Sequence, residues 1–258
     1  MPVSLTPVPE PVPDIASWLE DTRPLVVVLT GAGISQESGI PTFRDADGLW
    51  EGHDVMQVAS PEGFRKDPEL VLRFYNLRRA AAASVQPNAA HLALSELQAR
   101  YNLVVVTQNI DDLHERGGNE RVLHLHGRIS QVRGSQDPHT LYEIGGQAIE
   151  VGDCDARGQQ LRPNVVWFGE EVPNIVRAAQ LVARTELLLV VGTSLEVYPA
   201  ASLAFEAPPT APVWVINPNM PYLSPEPGLR LIEEKATVAV RQVVDELLSV
   251  DELPQVTR

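Results

Sequence analysis

Gly31 and Gly33 stand one residue apart directly behind the apolar run Leu25–Leu29. Glycines at that spacing, where a strand gives way to a turn, let the backbone approach a bulky anion, and the N–H groups of a following helix favour a pyrophosphate. The pattern departs from the dinucleotide fingerprint G-x-G-x-x-G, because Gln36 stands where its third glycine belongs and the next glycine is Gly39. Taken alone it fits a tight turn equally well. Pro41-Thr42-Phe43-Arg44-Asp45 follows, an aromatic and a charged pair on a loop, which no structural need dictates; a surface ion pair is the alternative for Arg44 and Asp45. Three further apolar runs also end in polar or glycine-bearing clusters, at 107–111, 192–194 and 217–219. Ligands of open α/β sheets bind outside the carboxyl ends of the strands, so four such tips point to one nucleotide crevice.

The elements that must carry these tips are legible. Apolar strands are expected at Leu25–Leu29, Leu103–Thr107, Arg121–Leu125, Leu187–Val191 and Pro212–Ile216. Helices are expected from Asp14 to Asp21, from Ser60, over Pro68–Ser84 and Asn88–Arg100, over Val172–Thr185, from Val197 to Phe205 and over Thr237–Leu248. Residues 46–59 read as a loop, and 128–162 as an irregular inserted module. The alternation predicts an α/β fold, a Rossmann-like doubly wound parallel sheet with a smaller inserted domain. The expected division is an extended proline-rich arm at 1–13, a Rossmann-like domain of 14–45, 88–127 and 165–258, and a small domain of 46–87 and 128–164.

The chain has 258 residues, enough for a substantial core, and 44% of them are hydrophobic. Its longest apolar run, Leu187–Val191, is far short of a membrane span, and the N-terminal stretch lacks a signal-peptide pattern, so the expected location is the cytoplasm. A net charge of −14 argues against nucleic-acid partners and tolerates cationic, lysine-bearing ones. Cys154 is the only cysteine, which excludes an intrachain disulfide and a four-thiolate zinc site.

The motifs Gly31–Ser35 with Ser38–Arg44, Thr107–Asp111, Leu125-His126-Gly127, Arg162–Glu170, Gly192-Thr193-Ser194 and Ile216-Asn217 run in one order over nearly the whole chain. In these residues the chain resembles the sirtuins, the NAD-dependent protein-lysine deacylases. The resemblance implies NAD as cofactor and acyl-lysine proteins or peptides as substrates, with oligomeric state open and a monomer compatible. It implies that Gly31, Ala32 and Gly33 cradle the pyrophosphate through backbone N–H groups. Arg44, Gln108, Asn109 and Asp111 would surround the nicotinamide and its ribose. Ser194 would touch phosphate, Asn217 the adenosine ribose, and the backbone near Ala236 the adenine. Ile34, Glu37, Ser38, Phe43, Asp45, Trp50, Ile110, Gly192 and Thr193 complete the implied NAD set. His126 would be the general base, since an imidazole titrates near neutrality, with Asn109 and Asp111 beside it. His124, two residues earlier, reads as structural. Mono-ADP-ribosyl transfer and non-catalytic NAD sensing stay open as alternatives.

Tyr75 and Arg78 lie three apart in the Pro68–Ser84 helix and share a face. They look like the Tyr-x-x-Arg pair of the sirtuins that remove succinyl and malonyl groups; a guanidinium matches a carboxylate bidentately. An ordinary solvated face, with Arg78 and Arg79 exposed, is the plainer alternative. The remaining substrate-binding residues implied are Val165, Trp167, Phe168, Gly169, Glu170, Val197 and Tyr198, on extended pieces that could pair with a peptide. Most of the family holds zinc with two cysteine pairs. Here Gly134 and Asp137 stand at the first pair, Cys154 and Arg157 at the second, so no zinc is expected. Leu141, Tyr142, Ile144, Ile149, Val151 and Leu161 would then hold the module by packing.

Overall fold

Uninterrupted valine and leucine runs need cover on both faces, which a parallel sheet flanked by helices provides. The computed structural model describes residues 5, 7–8, 14–41, 49–50 and 52–256. Chain order begins β1 (Pro7–Val8), α1 (Ile15–Leu19), β2 (Leu25–Thr30), α2 (Gly33–Gln36), β3 (Leu49–Trp50), β4 (His53–Asp54), α3 (Val55–Val58), α4 (Pro61–Lys66), α5 (Pro68–Ser84) and α6 (Ala89–Glu96). It continues with β5 (Asn102–Thr107), α7 (Leu113–Arg116), β6 (Val122–His124), β7 (Gly127–Gly134), β8 (Leu141–Glu143) and β9 (Leu161–Val165). The last elements are α8 (Ile175–Val182), β10 (Leu187–Val191), a 3-10 helix over Ala200–Phe205, β11 (Val213–Ile216), β12 (Leu229–Ile232) and α9 (Ala236–Ser249).

Six strands form a parallel sheet in the order β12-β11-β10-β2-β5-β6. Every residue of β2, β5 and β10 is buried, as central strands require. Alternation sends Val26 and Val28 to one face, against Leu94 of α6 and Val240, Val243 and Leu247 of α9. Leu25, Val27 and Leu29 go to the other, against Leu181 and Val182 of α8 and Leu203. The fold is Rossmann-like, doubly wound, as its residue pattern predicts.

A four-stranded sheet, order β1-β8-β7-β9, pairs antiparallel throughout. It occupies the segment that reads as irregular, because β7, Gly127–Gly134, mixes buried and half-buried polar residues and shows no clean period. Its core joins Ile129, Val132, Tyr142, Ile144, Ile149 and Leu161 to Val71, Leu72, Phe74 and Tyr75 of α5. Leu141 is buried as expected, but Val151 is 57% exposed and does not contribute. Two polar residues of α5 fasten the layers. Asn76 exchanges hydrogen bonds with the Ile149 backbone at 2.8 and 3.1 Å. Arg79 donates to the Ile129 carbonyl at 2.7 Å and the Gln147 carbonyl at 3.2 Å. Arg79 is therefore not an exposed charge: it is 1% exposed, and burial pulls it down to about 10.

Helix ends follow their capping residues. Pro68 opens α5 at its first position, and the Asp67 carboxylate accepts from the Leu70 N–H at 2.9 Å. Asn88 and His91 make a reciprocal box at α6. Elsewhere the sequence reading needs correction. The described part of 46–59 contains the β3–β4 pair and α3. β12 is an edge strand of four residues with Arg230 and Leu231 exposed, too short and too little buried to stand out. The expected helix at 197–205 is 3-10, over Ala200–Phe205.

The tips of β2 and β10 meet backbone to backbone. The Gly31 N–H donates to the Val191 carbonyl at 3.0 Å and the Gly33 N–H to the Gly192 carbonyl at 2.8 Å. A Cβ on Gly33 would lie 2.7 Å from both the Cα and the carbonyl oxygen of Gly192, with no flexible group to move. Gly33→Ala should therefore destabilise the protein by about 1–3 kcal/mol, read as a lower urea midpoint; an unchanged midpoint would show that the tips can part freely.

Candidate active site

A cavity of about 990 Å³ lies across the carboxyl ends of the parallel strands. Gly31, Ala32 and Gly33 behind β2, Gln108–Asp111 behind β5, His126 behind β6, Gly192, Thr193 and Ser194 behind β10, and Asn217 behind β11 all line it. Trp50, Tyr75, Arg78, Val165, Trp167, Phe168, Gly169, Glu170, Val197 and Tyr198 line the rest. The structure thus gathers most of the residues singled out from the sequence around one space large enough for a dinucleotide and a side chain.

His126 reaches this space from the end of β6. Its Nδ1 lies 2.9 Å from the Gln108 carbonyl, which can only accept, so Nδ1 carries the hydrogen and Nε2 keeps its lone pair. Burial lowers its pKa from 6.5, and the hydrogen bond to Gln108 offsets part of that. Asn109 is held by its side-chain amide, which donates to the Gly31 carbonyl and to Ser35 Oγ, both at 3.2 Å. Asp111 accepts from the Leu113 N–H at 3.1 Å. Burial pushes its carboxyl up, against the pull of that N–H, the His124 charge and Ser35. Gln108 donates to Thr193 Oγ1 at 3.1 Å and Asn217 to the Thr193 carbonyl at 2.8 Å, tying three tips together.

Other residues singled out from the sequence have partners of their own or lie away from the cavity. The N–H groups of Gly31 and Gly33 are spent on β10, so of the three loop residues only Ala32 keeps an N–H without a backbone partner among the described residues. Ile34 does not line the cavity; it is fully buried in the core. Glu37 faces away and accepts from the Thr237 N–H and hydroxyl at 3.1 and 2.8 Å, capping α9. Ser38 accepts from Asn88 at 3.0 Å, and Ala236 is buried at the start of α9. Phe43, Arg44 and Asp45 lie outside the described residues. Glu170 lines the cavity, yet its carboxylate is taken up by Arg162 at 2.6 and 3.0 Å and by the Trp167 N–H at 2.8 Å. It fixes the 165–170 wall instead of presenting a free charge. Ser35, Gln36, Ile40, Leu77 and Ala81 line the cavity without a role in the sequence reading. Ser35 sits inside a quoted motif; Leu77 and Ala81 share α5 with Tyr75 and Arg78, and that helix face was the available signal.

On the second wall, Tyr75 is buried and its hydroxyl accepts from Trp167 Nε1 at 3.0 Å. The Arg78 guanidinium stacks 3.2 Å from the Phe74 ring centroid and 4.6 Å from that of Trp50, with Nη1 donating to the Phe74 carbonyl at 3.1 Å. Phe168 and Tyr198 are 40% and 70% exposed at the mouth.

A doubly covered sheet with polar tips around one such cavity defines a Rossmann-like nucleotide-binding protein. A profile of the Sir2 family matches residues 31–199. An NAD-dependent protein deacylase of Helicobacter pylori (strain ATCC 700392 / 26695) is 48% identical over 223 residues, covering 86% of this chain and 97% of that protein. One from Aggregatibacter actinomycetemcomitans is 49% identical over 197 residues, covering 76% of this chain and 94% of its own. A solved Sir2 homologue in complex with NAD is similar at TM-score 0.77 and 38% identity, covering 88% of this chain and 90% of that one. The chain belongs to the Sir2 family.

The positions of the family's zinc cysteines do not fit the metal here. Asp137 and Arg157 form an ion pair of 2.8 Å that joins the two turns, and Cys154 is exposed. The N–H groups of His139 and Thr140, the Thr140 hydroxyl and Arg157 hold the Asp137 carboxyl down at about 2. Asp155 accepts from the Arg157 and Gln159 N–H groups at 2.9 and 2.8 Å, organising the second turn. Among the described residues no group of three or more His, Cys, Asp or Glu could hold a metal ion. Elemental analysis of the purified protein should give well under one equivalent of zinc, and chelator should leave its melting temperature unmoved; a full equivalent would overturn this.

Proposed function

We propose that the protein removes acidic acyl groups, succinyl and malonyl, from protein lysines. As a Sir2 member it is an NAD-dependent protein deacylase, and NAD is its cofactor. When bound, NAD would supply a ribose carbon that takes up the acyl oxygen with loss of nicotinamide, and with one water consumed the products would be free lysine, nicotinamide and O-acyl-ADP-ribose. The residues on the strand tips suit such a ligand. Ala32 offers a peptide N–H, Ser194 a hydroxyl, and Asn217 the amide oxygen at the far tip, while Asn109 and Asp111 stand at the reacting end.

His126 Nε2 is the atom that takes up a proton inside the cavity, and the Gln108 carbonyl keeps the ring in the tautomer that allows it. The acyl preference rests on one observation: Tyr75 and Arg78, on one face of α5, line the same cavity as His126. Because Trp167 Nε1–H already donates to the Tyr75 oxygen, the phenol hydrogen is left to be given away. Burial raises the Tyr75 pKa, so it stays protonated. A planar guanidinium stacked on Phe74 beside that donor is suited to a carboxylate. An extended lysine peptide would then run between Val165–Glu170 and Val197–Tyr198. The described parts of 46–87 and 128–164 act, in this reading, as one small domain, supported by the Asn76 and Arg79 bonds.

Two outcomes follow. Burial lowers the His126 pKa, and the base works only when neutral, so the acid limb of kcat/KM should fall below 6.5. A profile from about pH 5 to about pH 8 checks it; an inflection above 6.5 would contradict it. With succinyl-, malonyl- and acetyl-lysine peptides, NAD and mass spectrometry for O-acyl-ADP-ribose, Arg78→Met should cut desuccinylation by about tenfold or more, leaving deacetylation within about threefold. Equal loss on both substrates would remove the acidic-acyl assignment.

A further inference from the structure

His124 closes β6, and His126 follows two residues later in the bend beyond the strand. Both turn Nδ1 toward the same short stretch of backbone. His126 Nδ1 meets the Gln108 carbonyl and His124 Nδ1 the Asn109 carbonyl, each at 2.9 Å. Consecutive carbonyls of the turn behind β5 are thus each pinned by an imidazole N–H.

The rings differ at the other nitrogen. His126 lines the cavity, whereas His124 does not. His124 Nε2 meets Glu115 Oε1 at 2.8 Å, and the same oxygen accepts from Arg128 Nη2 at 2.8 Å. Burial pushes the Glu115 carboxyl up, but the hydrogen bond and charge of His124 and the charge of Arg128 bring it down to about 2. That oxygen is therefore an acceptor, so His124 sets one ring nitrogen against a carboxylate oxygen and the other against a carbonyl oxygen. The ring is a strut: one end on Glu115 of α7, the other on the backbone that presents Asn109 and Asp111. Asn174 steadies its base by donating to the His124 carbonyl at 2.9 Å.

We propose that His124 is a positioning residue for the reaction, setting Asn109 and Asp111 by holding the Asn109 carbonyl. Residues 108–112 belong to neither strand nor helix, so their conformation depends on bonds of this kind. The Asn109 side chain is already fixed on Gly31 and Ser35, and the Ile110 carbonyl accepts from the Ile129 N–H at 2.8 Å. The Asn109 carbonyl is the joint between them.

Two substitutions separate the ends of the strut. Asparagine carries its amide nitrogen on Cγ, where Nδ1 is attached, and keeps a donor for the Asn109 carbonyl while losing Glu115. Glutamine carries it one atom further and favours Glu115. His124→Asn should keep kcat/KM for NAD within about threefold, and His124→Gln should lose about tenfold or more. The loss should appear in kcat and in KM for NAD, not in KM for the acyl peptide. In the free protein, hydrogen exchange over Gln108–Asp112 should quicken in His124→Gln and not in His124→Asn. Glu115→Gln keeps the Nδ1 bond and should follow the asparagine variant. Equal losses in both histidine variants, losses that track melting temperature, or unchanged exchange in His124→Gln would each overturn the proposal. It rests on the deacylase reading. Failure of that reading would show as absent turnover by the unsubstituted protein, whereas the exchange measurement reports on His124 regardless.

Discussion

The crossing of β2 and β10 tips is the constraint from which the site follows. Parallel strands lie beside one another along their whole length, but a crevice above them forms only if their loops diverge in a controlled way. Here the chain leaving β2 first presses on the chain leaving β10, with Gly31 against Gly192 and Thr193 and Gly33 against the Gly192 backbone. Gly192 has φ +64, a conformation suited to glycine, and its own N–H donates to the Ile216 carbonyl at 2.9 Å. Three neighbouring tips are thereby tied together. The glycines serve this contact first; the peptide they leave open toward the cavity is that of Ala32.

The electrostatics of the crevice grow from the same burial. Under the tips, Thr30 and Thr107 share a 2.8 Å hydrogen bond, and Thr30 also meets His114 Nε2 at 2.9 Å. Polar groups placed there must find partners inside the protein, because water does not reach them. His91 lies beside His114 with ring centroids 4.9 Å apart, and burial pulls it down to about 4. These rings stay neutral and serve as hydrogen-bonding spacers. His126 escapes that fate by position alone: one residue past Leu125 it clears the sheet, and its Nε2 meets the cavity instead of the core. Position at the sheet's edge or under its tips thus gives the same residue type opposite uses.

How much of this the residues announce depends on whether a feature is periodic or relational. The central strands and α5 are legible because their apolar runs and the Asp67–Pro68 start are local signals. Motif order placed Asn109, Asp111, His126 and Asn217 on one cavity. Relational facts were not legible. Nothing near Glu37 says that its carboxylate will cap α9, two hundred residues away, and nothing near Glu170 says that Arg162 will claim it. The strands β7–β9 escaped because their side chains pair across the sheet with polar partners: Asn164, for example, donates to Gln131 at 3.1 Å. Such a sheet has no apolar alternation to read.

That polar small sheet bears on how the second wall stays in place. An exposed ion pair such as Asp137–Arg157, with Arg157 69% exposed, contributes little on its own. What it joins matters more. Each carboxylate, Asp137 and Asp155, accepts two backbone N–H groups of its own turn, so the turns are shaped before they are linked. Inward from them, Leu161, Ile149 and Val132 pack on α5 with essentially no exposure, and Asn76 and Arg79 close the remaining backbone groups. Arg162 then carries the rigidity across: its guanidinium lies 3.3 Å from the Trp167 ring centroid and grips Glu170 with both outer nitrogens engaged. Through Trp167 Nε1 the chain of contacts ends on the Tyr75 hydroxyl. The position of that hydroxyl is therefore set by packing and hydrogen bonds that begin in the turns at Asp137 and Asp155.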